Sequence, residues 1–270
     1  MSDDRLVLHR RADVRRAATL LAAGMPVAHG FGSIYALTAR GDAVRRVNAL
    51  KGRPLGQTGS VTAPTGHELD AFDLSALPPG VSPRLVHEVV EAFGAVGPFG
   101  FRGPAAGHVP AGLAALDGHL RTAQVIVPGH ACPSQAFLAA AAEAVGHEPL
   151  SISSANRSRH VTGGLDAPVH WRADALRAEL PGVLVLEHDD DAAARARFPR
   201  HTTVSTTILG LHRAERSHGR LHLVLERHGS LRADDVARVL HGLGLGLTIG
   251  ARAAGRLAPR AYEDALRDVG

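Results

Sequence analysis

Two short polar units in the sequence carry side chains that could bind a phosphorylated ligand. The first is KGRP, with Lys51 and Arg53, and it holds the only lysine of the chain, because the other 29 of its 30 basic residues are arginine. A lysine supplies a compact point charge and an arginine a planar fork, so the pair suits a polyphosphate. The alternative interpretation is a pair of solvated surface cations.

The second unit is SISSANRS, Ser151 to Ser158. Ser153, Ser154 and Asn156 follow the apolar residues of a predicted strand, and they could hydrogen-bond phosphate or ribose oxygens at the edge of a sheet. The alternative is a Ser/Asn-rich turn without a ligand. Because the chain has neither a Walker loop nor a Gly-x-Gly-x-x-Gly motif after a strand, phosphate recognition would depend on side chains.

Helices and strands that could position these units alternate along the chain. Hydrophobic periodicity predicts helices over 12–24, 42–52, 82–94, 133–146, 174–182 and 231–244. Ser82 followed by Pro83 is a typical helix start, and Pro54 is a helix stop just beyond the basic pair. Apolar runs predict strands within 25–39 and over 122–129, 149–156, 183–188, 201–209 and 220–229.

This alternation lacks a strict β-α-β rhythm. It predicts an α/β (α+β) fold in which helices pack around a twisted mixed sheet. We expect residues 1–250 to form a single nucleotide-binding domain and residues 251–270 a polar, helical C-terminal tail. The acidic run Glu187 to Asp191 is interpreted as a solvated turn.

The composition favours a globular, cytoplasmic protein. Of the 270 residues, 45% are hydrophobic and 21% charged, as is usual for folded domains. The single Cys132 excludes an internal disulfide, and no apolar run reaches the ~18 residues of a membrane span. The net charge of +4 suits an anionic ligand but does not by itself argue for nucleic-acid binding. Without HExxH or zinc-spaced Cys/His pairs, no metal ligands are predicted. His130 beside Cys132 and the lone His201 are interpreted as structural.

In their order along the chain, these units resemble the YrdC family over roughly residues 8 to 245. AAGMPVAHGFGSIYAL is similar to a family segment that runs through Pro-Thr-Asp/Glu-Thr-Val-Tyr-Gly-Leu, and EPLSISSANRS to Pro-Leu-x-x-Thr-Ser-Ala-Asn-x-Ser-Gly. VIVPGH and VGPFGF are weaker matches. The Lys-x-Arg-Pro and Ser-Ala-Asn units are the specific ones. The resemblance implies a twisted mixed sheet with a concave, basic face.

The resemblance also implies a nucleotidyltransferase activity, that of threonylcarbamoyl-AMP synthase. Such an enzyme joins L-threonine, bicarbonate and ATP with release of pyrophosphate, for the modification of a tRNA adenosine. By the matching positions, Lys51 and Arg53 would be the catalytic pair on the ATP phosphates, with Mg²⁺ assisting. Ser153, Ser154 and Asn156 would hold the nucleotide.

The amino-acid part of the resemblance is less complete. Ser33 and Tyr35 match a threonine and a tyrosine that would contact the amino-acid substrate. Residues 30–32, Gly-Phe-Gly, replace the family's Pro-Thr and its next acidic residue, and Ile126 replaces an arginine. A phenylalanine fills volume, and the loss of an arginine weakens recognition of a carboxylate.

Three functions follow as hypotheses from this pattern. The first is threonylcarbamoyl-AMP synthesis. The second is a divergent paralogue that forms a carbamoyl adenylate from carbamoyl phosphate, or that acts on another amine in specialised metabolism. The third is a non-catalytic module that binds a nucleotide or RNA, including double-stranded RNA, at a basic face. None of the three involves a membrane.

Overall fold

A single mixed sheet runs through the computed structural model, which describes residues 5–158, 161 and 169–254. Its twelve strands are β1 (Leu6–Val7), β2 (Val27–Phe31), β3 (Ile34–Arg40), β4 (Ser60–Thr62), β5 (Phe99–Pro104), β6 (Ala114–Asp117), β7 (Leu120–Val127), β8 (Leu150–Ser154), β9 (Leu184–Glu187), β10 (Ile208–Ser217), β11 (Arg220–Arg227) and β12 (Gly246–Ile249). The helices are α1 (Arg11–Ala22), α2 (Val44–Leu50), α3 (Pro83–Gly94), α4 (Gln135–Ala144), α5 (Ala173–Glu179), α6 (Asp191–Ala196), α7 (Ala233–Gly242) and α8 (Ala251–Ala254).

The strands are ordered β1-β9-β2-β3-β8-β4-β7-β5-β10-β11-β12, and β6 pairs with β7 outside this path. Hairpins β2/β3 and β10/β11 are antiparallel, whereas β4/β7 and β5/β10 are parallel. The mixed sheet with helices packed on it confirms the predicted α/β fold class. The extent of the domain, 1–250, stays a prediction.

Helices cover the sheet through small and branched apolar side chains. On one side, Ala17 and Leu21 of α1 pack with Phe137 and Leu138 of α4 in one buried cluster. On another, α3 and α7 contribute to a larger cluster in which the rings of Phe93 and Phe99 stack with centroids 4.0 Å apart. A core this poor in aromatic residues depends on close packing of Ala, Val and Leu.

Local sequence signals place several helix ends as predicted. Ser82 Oγ accepts a hydrogen bond from the Leu85 N–H at 3.2 Å, and Pro83 is the first residue of α3. Gly24, just beyond α1, has a φ of +90°, a conformation that glycine adopts without strain. At α4 the helix begins at Gln135, two residues later than the predicted Pro133.

The predicted strand over 201–209 is wrong for most of its length. β10 begins only at Ile208, and the preceding residues form an irregular segment. Thr207 Oγ1 donates to Leu231 O at 2.7 Å and accepts from the Leu231 N–H at 2.9 Å. The backbone groups of the segment are also paired outside a regular ladder, since the Thr202 N–H donates to Ser230 O and Ser205 O accepts from the Ser230 N–H.

The interpretation of Glu187 to Asp191 as a solvated turn is also wrong at its first two residues and at Asp191, which is the first residue of α6. Glu187 is the last residue of β9 and is buried, and its carboxylate is paired with Arg5 at 2.6 Å and with Arg177. His188 is buried as well, whereas Asp189 and Asp190 are exposed. A buried carboxylate needs such cationic partners, and here one comes from the start of the chain and the other from α5, the helix before β9.

Two predictions concern the C-terminal part and the membrane. Residues 251–254 form α8, and the rest of the predicted 251–270 tail lies outside the described residues. Within the part of the chain that the structure describes, every helix is too short or too polar to cross a bilayer. The cytoplasmic location stays a prediction.

Candidate functional site

The basic pair lies where α2 ends, as the sequence predicts. The Lys51 N–H completes the last turn by donating to Val47 O, and Gly52 follows with a φ of +65°. Such a left-handed glycine is a common helix terminator, and Pro54 then prevents any continuation. The buried Asn48 donates through Nδ2 to Gln57 O at 2.7 Å. That bond fixes the loop carrying Arg53.

Lys51 does not extend into solvent. Its side chain is 1% exposed, and Nζ donates to Ser154 O and to Asn156 Oδ1, the latter at 3.3 Å. Ser154 Oγ lies 3.5 Å from the same nitrogen. The two units singled out in the sequence are therefore in direct contact. An ammonium with three rotatable donors fits this enclosed arrangement better than a planar guanidinium.

The Ser-Ser-Ala-Asn turn is held by its own side chains as well as by Lys51. Ser154 Oγ donates to Asn156 Oδ1 at 2.6 Å, and the Ser158 N–H donates to Lys51 O at 2.9 Å. Because β8 is antiparallel to both β3 and β4, the turn starts in the middle of the sheet. The unit is therefore a rigid, strand-anchored turn.

Burial lowers the pKa of Lys51 well below its ordinary value, and the nearby Arg53 guanidinium acts in the same direction. Burial also lowers the pKa of Arg53. The lower pKa does not remove the charge of Arg53, because a guanidinium stays protonated in proteins. Two cations close together in a partly buried site favour an anionic partner.

Next to this turn lies a cleft of about 210 Å³, called here the main cleft. Arg53, Ser153 and Ser154 line it, whereas Lys51 and Asn156 lie behind its wall. The lining is rich in hydroxyls, from Thr58, Ser60, Ser153, Ser154, Ser205 and Thr206, and it carries the amides of Gln57 and Gln124. Its apolar part consists of Phe31, Ile34, Ala36, Ile126 and Ile152.

The described residues that line the main cleft contribute only positive charge. Arg53 and Arg227 are its charged lining residues, and no carboxylate is among the described residues that line it. The Arg53 guanidinium is half-buried and makes no hydrogen bond or ion pair with any residue in the described ranges. A partly desolvated cation without a counter-charge at a hydroxyl-lined cleft suits a ligand with several anionic oxygens.

Sequence reasoning missed one wall of this cleft. Ser205 Oγ lies 3.4 Å from Ser154 Oγ, and Arg227 donates to Thr206 O at 2.8 Å and to Thr206 Oγ1 at 3.0 Å. The hydrophobic pattern predicts a strand through Ser205 and Thr206 and gives Arg227 no role in a site. A run of three hydroxyl residues, Ser205 to Thr207, stands directly before the apolar start of β10, and it is the signal that could have indicated this wall.

The two residues predicted to contact an amino acid do not line the main cleft. Ile34 and Ala36 of β3 face the cleft, so Tyr35 between them points to the opposite face of the sheet. Its hydroxyl donates to Asp191 Oδ1 at 2.6 Å and accepts from the His188 N–H at 3.1 Å. Burial, with the Asp191 carboxylate, raises the pKa of Tyr35.

Ser33 lies in the β2/β3 turn, where it is buried. The residues that depart from the family pattern are placed more directly, because Phe31 and Ile126 both line the main cleft. Their apolar side chains therefore face any ligand that enters it. Roles for Ser33 and Tyr35 in binding an amino acid remain predictions, and the geometry gives them no direct contact with the main cleft.

His130 and Cys132 have separate partners, in keeping with structural roles. Cys132 Sγ accepts from the Gly32 N–H at 3.1 Å and lies 3.0 Å from Ser134 Oγ, and burial raises the pKa of the thiol. His130 Nε2 lies 3.5 Å from Glu91. A buried thiol with a raised pKa is a poor nucleophile.

Comparison with solved structures identifies the architecture. The chain superposes on Sua5 of P. abyssi complexed with L-threonine with a TM-score of 0.60 and 20% identity, covering 88% of this chain and 60% of that one. The TM-score with YciO of E. coli is 0.54 at 17% identity, over 76% of this chain and 86% of that one. The chain has the YrdC/Sua5 fold. The resemblance noted in the sequence is thus confirmed at the level of the fold.

The chain also superposes on a structure of full-length HypF in its phosphate- and nucleotide-bound form. The TM-score is 0.52 at 16% identity, over 80% of this chain and 29% of that one. The chain spans about three fifths of the length of the Sua5 structures that it matches. No family sequence model and no curated protein sequence matches the chain.

Proposed function

We propose that the protein is an ATP-dependent adenylyltransferase that forms threonylcarbamoyl-AMP from L-threonine, bicarbonate and ATP. The observation that carries the proposal is the main cleft, in which two guanidinium groups and six hydroxyls surround a space without a carboxylate among the described lining residues. The L-threonine in the Sua5 structure and the nucleotide in the HypF structure, both of the same fold, support the two substrate classes.

The proposed reaction has two steps, carbamate formation and adenylation. The amine of threonine combines with bicarbonate to give a carbamate and water. A carbamate oxygen then attacks the α-phosphorus of ATP, the bond from the α-phosphorus to its bridging oxygen breaks, and pyrophosphate leaves. Negative charge builds up on the departing pyrophosphate, so the main task of the protein is to position both reactants and to neutralise that charge.

Each group has a distinct part in this proposal. Arg53 and Arg227 bind phosphate oxygens, and Ser153 and Ser154 orient the nucleotide by hydrogen bonds. Lys51 holds the turn that presents these hydroxyls. It is then a positioning residue for the nucleotide site.

Assistance by Mg²⁺ is implied by the family resemblance. Protein sites for Mg²⁺ usually contribute one or two carboxylates besides the phosphates of the substrate. The described lining of the main cleft offers hydroxyls and amides instead. The residues do not fit a magnesium ion held by the protein, and no step of the reaction is assigned to one.

The proposal is tested by measuring pyrophosphate release in the presence of ATP, bicarbonate and L-threonine, with the product identified by mass spectrometry. Release should require all three substrates and should fall about 100-fold in R53Q, as expected for the loss of one preorganised charge. R84Q is the matched control, because Arg84 is an exposed arginine paired with Glu88 on α3. A wild-type protein that releases no threonine-dependent pyrophosphate would contradict the proposal.

A second candidate keeps the adenylation but changes the amine. Phe31 and Ile126 make part of the main cleft apolar at positions where the family pattern has a polar and a basic residue. These residues favour an amine without a carboxylate, or carbamoyl phosphate as the source of the carbamoyl group. A panel of amines and carbamoyl phosphate, read out by adenylate formation, distinguishes this candidate from the first. RNA binding at this face stays a prediction.

A further inference from the structure

Three chemically versatile side chains from three different strands converge at a second place on the sheet. They are Asp117 of β6, His212 of β10 and Glu226 of β11, and their ligand atoms lie within 4.8 Å of one another. His212 Nε2 lies 2.7 Å from Asp117 Oδ2 and 3.4 Å from Glu226 Oε1. The His212 side chain is 2% exposed.

The hydrogen bond on the other side of the ring determines what Nε2 can do. His212 Nδ1 lies 3.1 Å from the Arg102 carbonyl oxygen, which can only accept, so Nδ1 carries a proton. In a neutral imidazole Nε2 then presents a lone pair to two carboxylate oxygens. Two carboxylate oxygens facing a lone pair repel it, so Nε2 must carry either a proton or a metal ion. A protonated Nδ1 on a backbone carbonyl is also the usual support of a histidine that binds a metal.

The carboxylates are oriented by arginines through their outer oxygens. Arg213 pairs with Asp117 Oδ1, and Arg102 Nη1 lies 3.4 Å from Glu226 Oε2. The inner oxygens, Asp117 Oδ2 and Glu226 Oε1, are directed towards His212. Glu226 Oε1 is buried and makes no hydrogen bond within the described part of the chain. A buried carboxylate oxygen without a donor is costly, and a bound cation would remove that cost.

The cluster adjoins a second cleft of about 190 Å³, lined by Arg102, Asp117, Arg213, Val224, Glu226, Gly250 and Ala251. This cleft lies on the same face of the sheet as the main cleft, because Arg102 is the cross-strand partner of Gln124. Because Asp117 and Glu226 line this cleft, a cation bound at the cluster would have one side open to water or to another ligand.

We propose that Asp117, His212 and Glu226 bind a divalent transition-metal ion of the Zn²⁺ type. Imidazole nitrogen and carboxylate oxygen are both ligand types that Zn²⁺ takes, and three protein ligands leave the fourth tetrahedral position open. Ligand bonds of about 2.0–2.1 Å in tetrahedral geometry place the ligand atoms about 3.3 Å apart. The 3.4 Å separation of His212 Nε2 and Glu226 Oε1 already has this value, and Asp117 Oδ2 needs to retreat by about 0.6 Å.

The test uses the full chain, freed of metal by dialysis against a chelator and titrated with ZnCl₂ by calorimetry. E226Q and H212Q should each lose one equivalent of Zn²⁺ or bind it at least 10-fold more weakly. E88Q and H119Q, which change an exposed glutamate and an exposed histidine, should bind as the wild type does. The visible spectrum with Co²⁺ should show the intense bands of a low-coordinate site in the wild type and not in E226Q.

A separate control addresses adventitious binding, because His67, His108 and His147 surround another cavity. H67Q should leave the equivalent assigned to the cluster unchanged. The proposal is overturned if the wild type binds no Zn²⁺, since the cation at Nε2 is then a proton. It is equally overturned if E226Q retains the full stoichiometry and affinity. Because E226Q keeps the shape of the side chain, its titration decides between these outcomes even if H212Q does not fold.

Discussion

Lys51 donates a hydrogen bond to Asn156 Oδ1 over 3.3 Å, although the two residues are 105 positions apart. This contact joins the end of α2 to the turn that follows β8, and it forms the back wall of the main cleft. The one lysine of this arginine-rich chain therefore has a physical explanation. The enclosed position suits a compact ammonium group with three donors better than a planar guanidinium.

The first prediction concerns this lysine. K51M removes the donor to Ser154 O and to Asn156 Oδ1, of which the latter still accepts from Ser154 Oγ. The loss should cost about 1–3 kcal/mol in the free energy of unfolding, and it should weaken ATP binding. K51R should not restore the affinity for ATP, because the guanidinium does not fit. Chemical denaturation and calorimetry measure both effects. R45M, at an exposed position on the same helix, should behave as the wild type does, and full ATP affinity in K51R would refute this explanation.

The second prediction concerns Gly229, which lies against the Ser205–Thr206 wall. A Cβ at this position would lie 2.2 Å from Ser205 O and 2.3 Å from Thr206 O, both of them backbone atoms. G229A should displace the wall, lower the free energy of unfolding by about 1–3 kcal/mol and weaken ATP binding. G242A is the control, since nothing lies within 4 Å of that Cβ. Unchanged ATP affinity in G229A would count against this wall as part of the site.

The third prediction concerns pH. His29 is fully buried between Thr38 Oγ1 and Gly30 O, and burial lowers its pKa from 6.5 to about 3. Between pH 6.5 and about pH 3, His29 is therefore protonated in the unfolded chain but stays neutral in the folded chain. The stabilising contribution is fully present above pH 6.5 and is lost as the pH falls towards 3.

The free energy of unfolding should decrease by up to about 1.4 kcal/mol per pH unit from His29 alone in this window. His188, whose pKa burial also lowers, acts in the same direction. Urea unfolding between pH 7 and pH 4 measures the slope. H29Q should have a shallower slope, whereas H119Q, at an exposed position, should keep the wild-type slope. An equal slope in H29Q and the wild type would contradict the assignment.

The fourth prediction separates a structural Tyr35 from a substrate-binding one. Its hydroxyl is committed to Asp191 and to the His188 N–H on the face opposite the main cleft. Y35F should lower the free energy of unfolding by about 1–3 kcal/mol through the unpaired partners. It should leave the KM for the amino acid unchanged. A rise in that KM without a loss of stability would instead support the contact inferred from the family resemblance.

The sequence was most informative where a side chain acts within one turn of the backbone. Ser82 with Pro83 predicted the start of α3, and Pro54 predicted the end of the helix before it. The two polar units were also recognised, but each alone had an ordinary explanation. Their direct contact depends on strand order, and only the resemblance to a family, taken over the whole chain, suggested it.

The parts that sequence reasoning missed depend on partners far along the chain. The segment before Ile208 is bonded to Ser230 and Leu231, and the buried Glu187 is paired with Arg5, 182 positions away. His212 and Asp117 are 95 positions apart. No short spacing motif encodes such pairs, because they are set by which strands become neighbours in the sheet.

The most direct test of the central claim is the affinity of the protein for an ATP analogue with an α,β-methylene bridge, measured by calorimetry in the wild type, R53Q and R84Q. The analogue binds without turnover, so the measurement concerns the cleft alone. We predict at least 10-fold weaker binding in R53Q and wild-type binding in R84Q. Equal affinity in all three proteins, or no binding to the wild type, would contradict a nucleotide site at the main cleft.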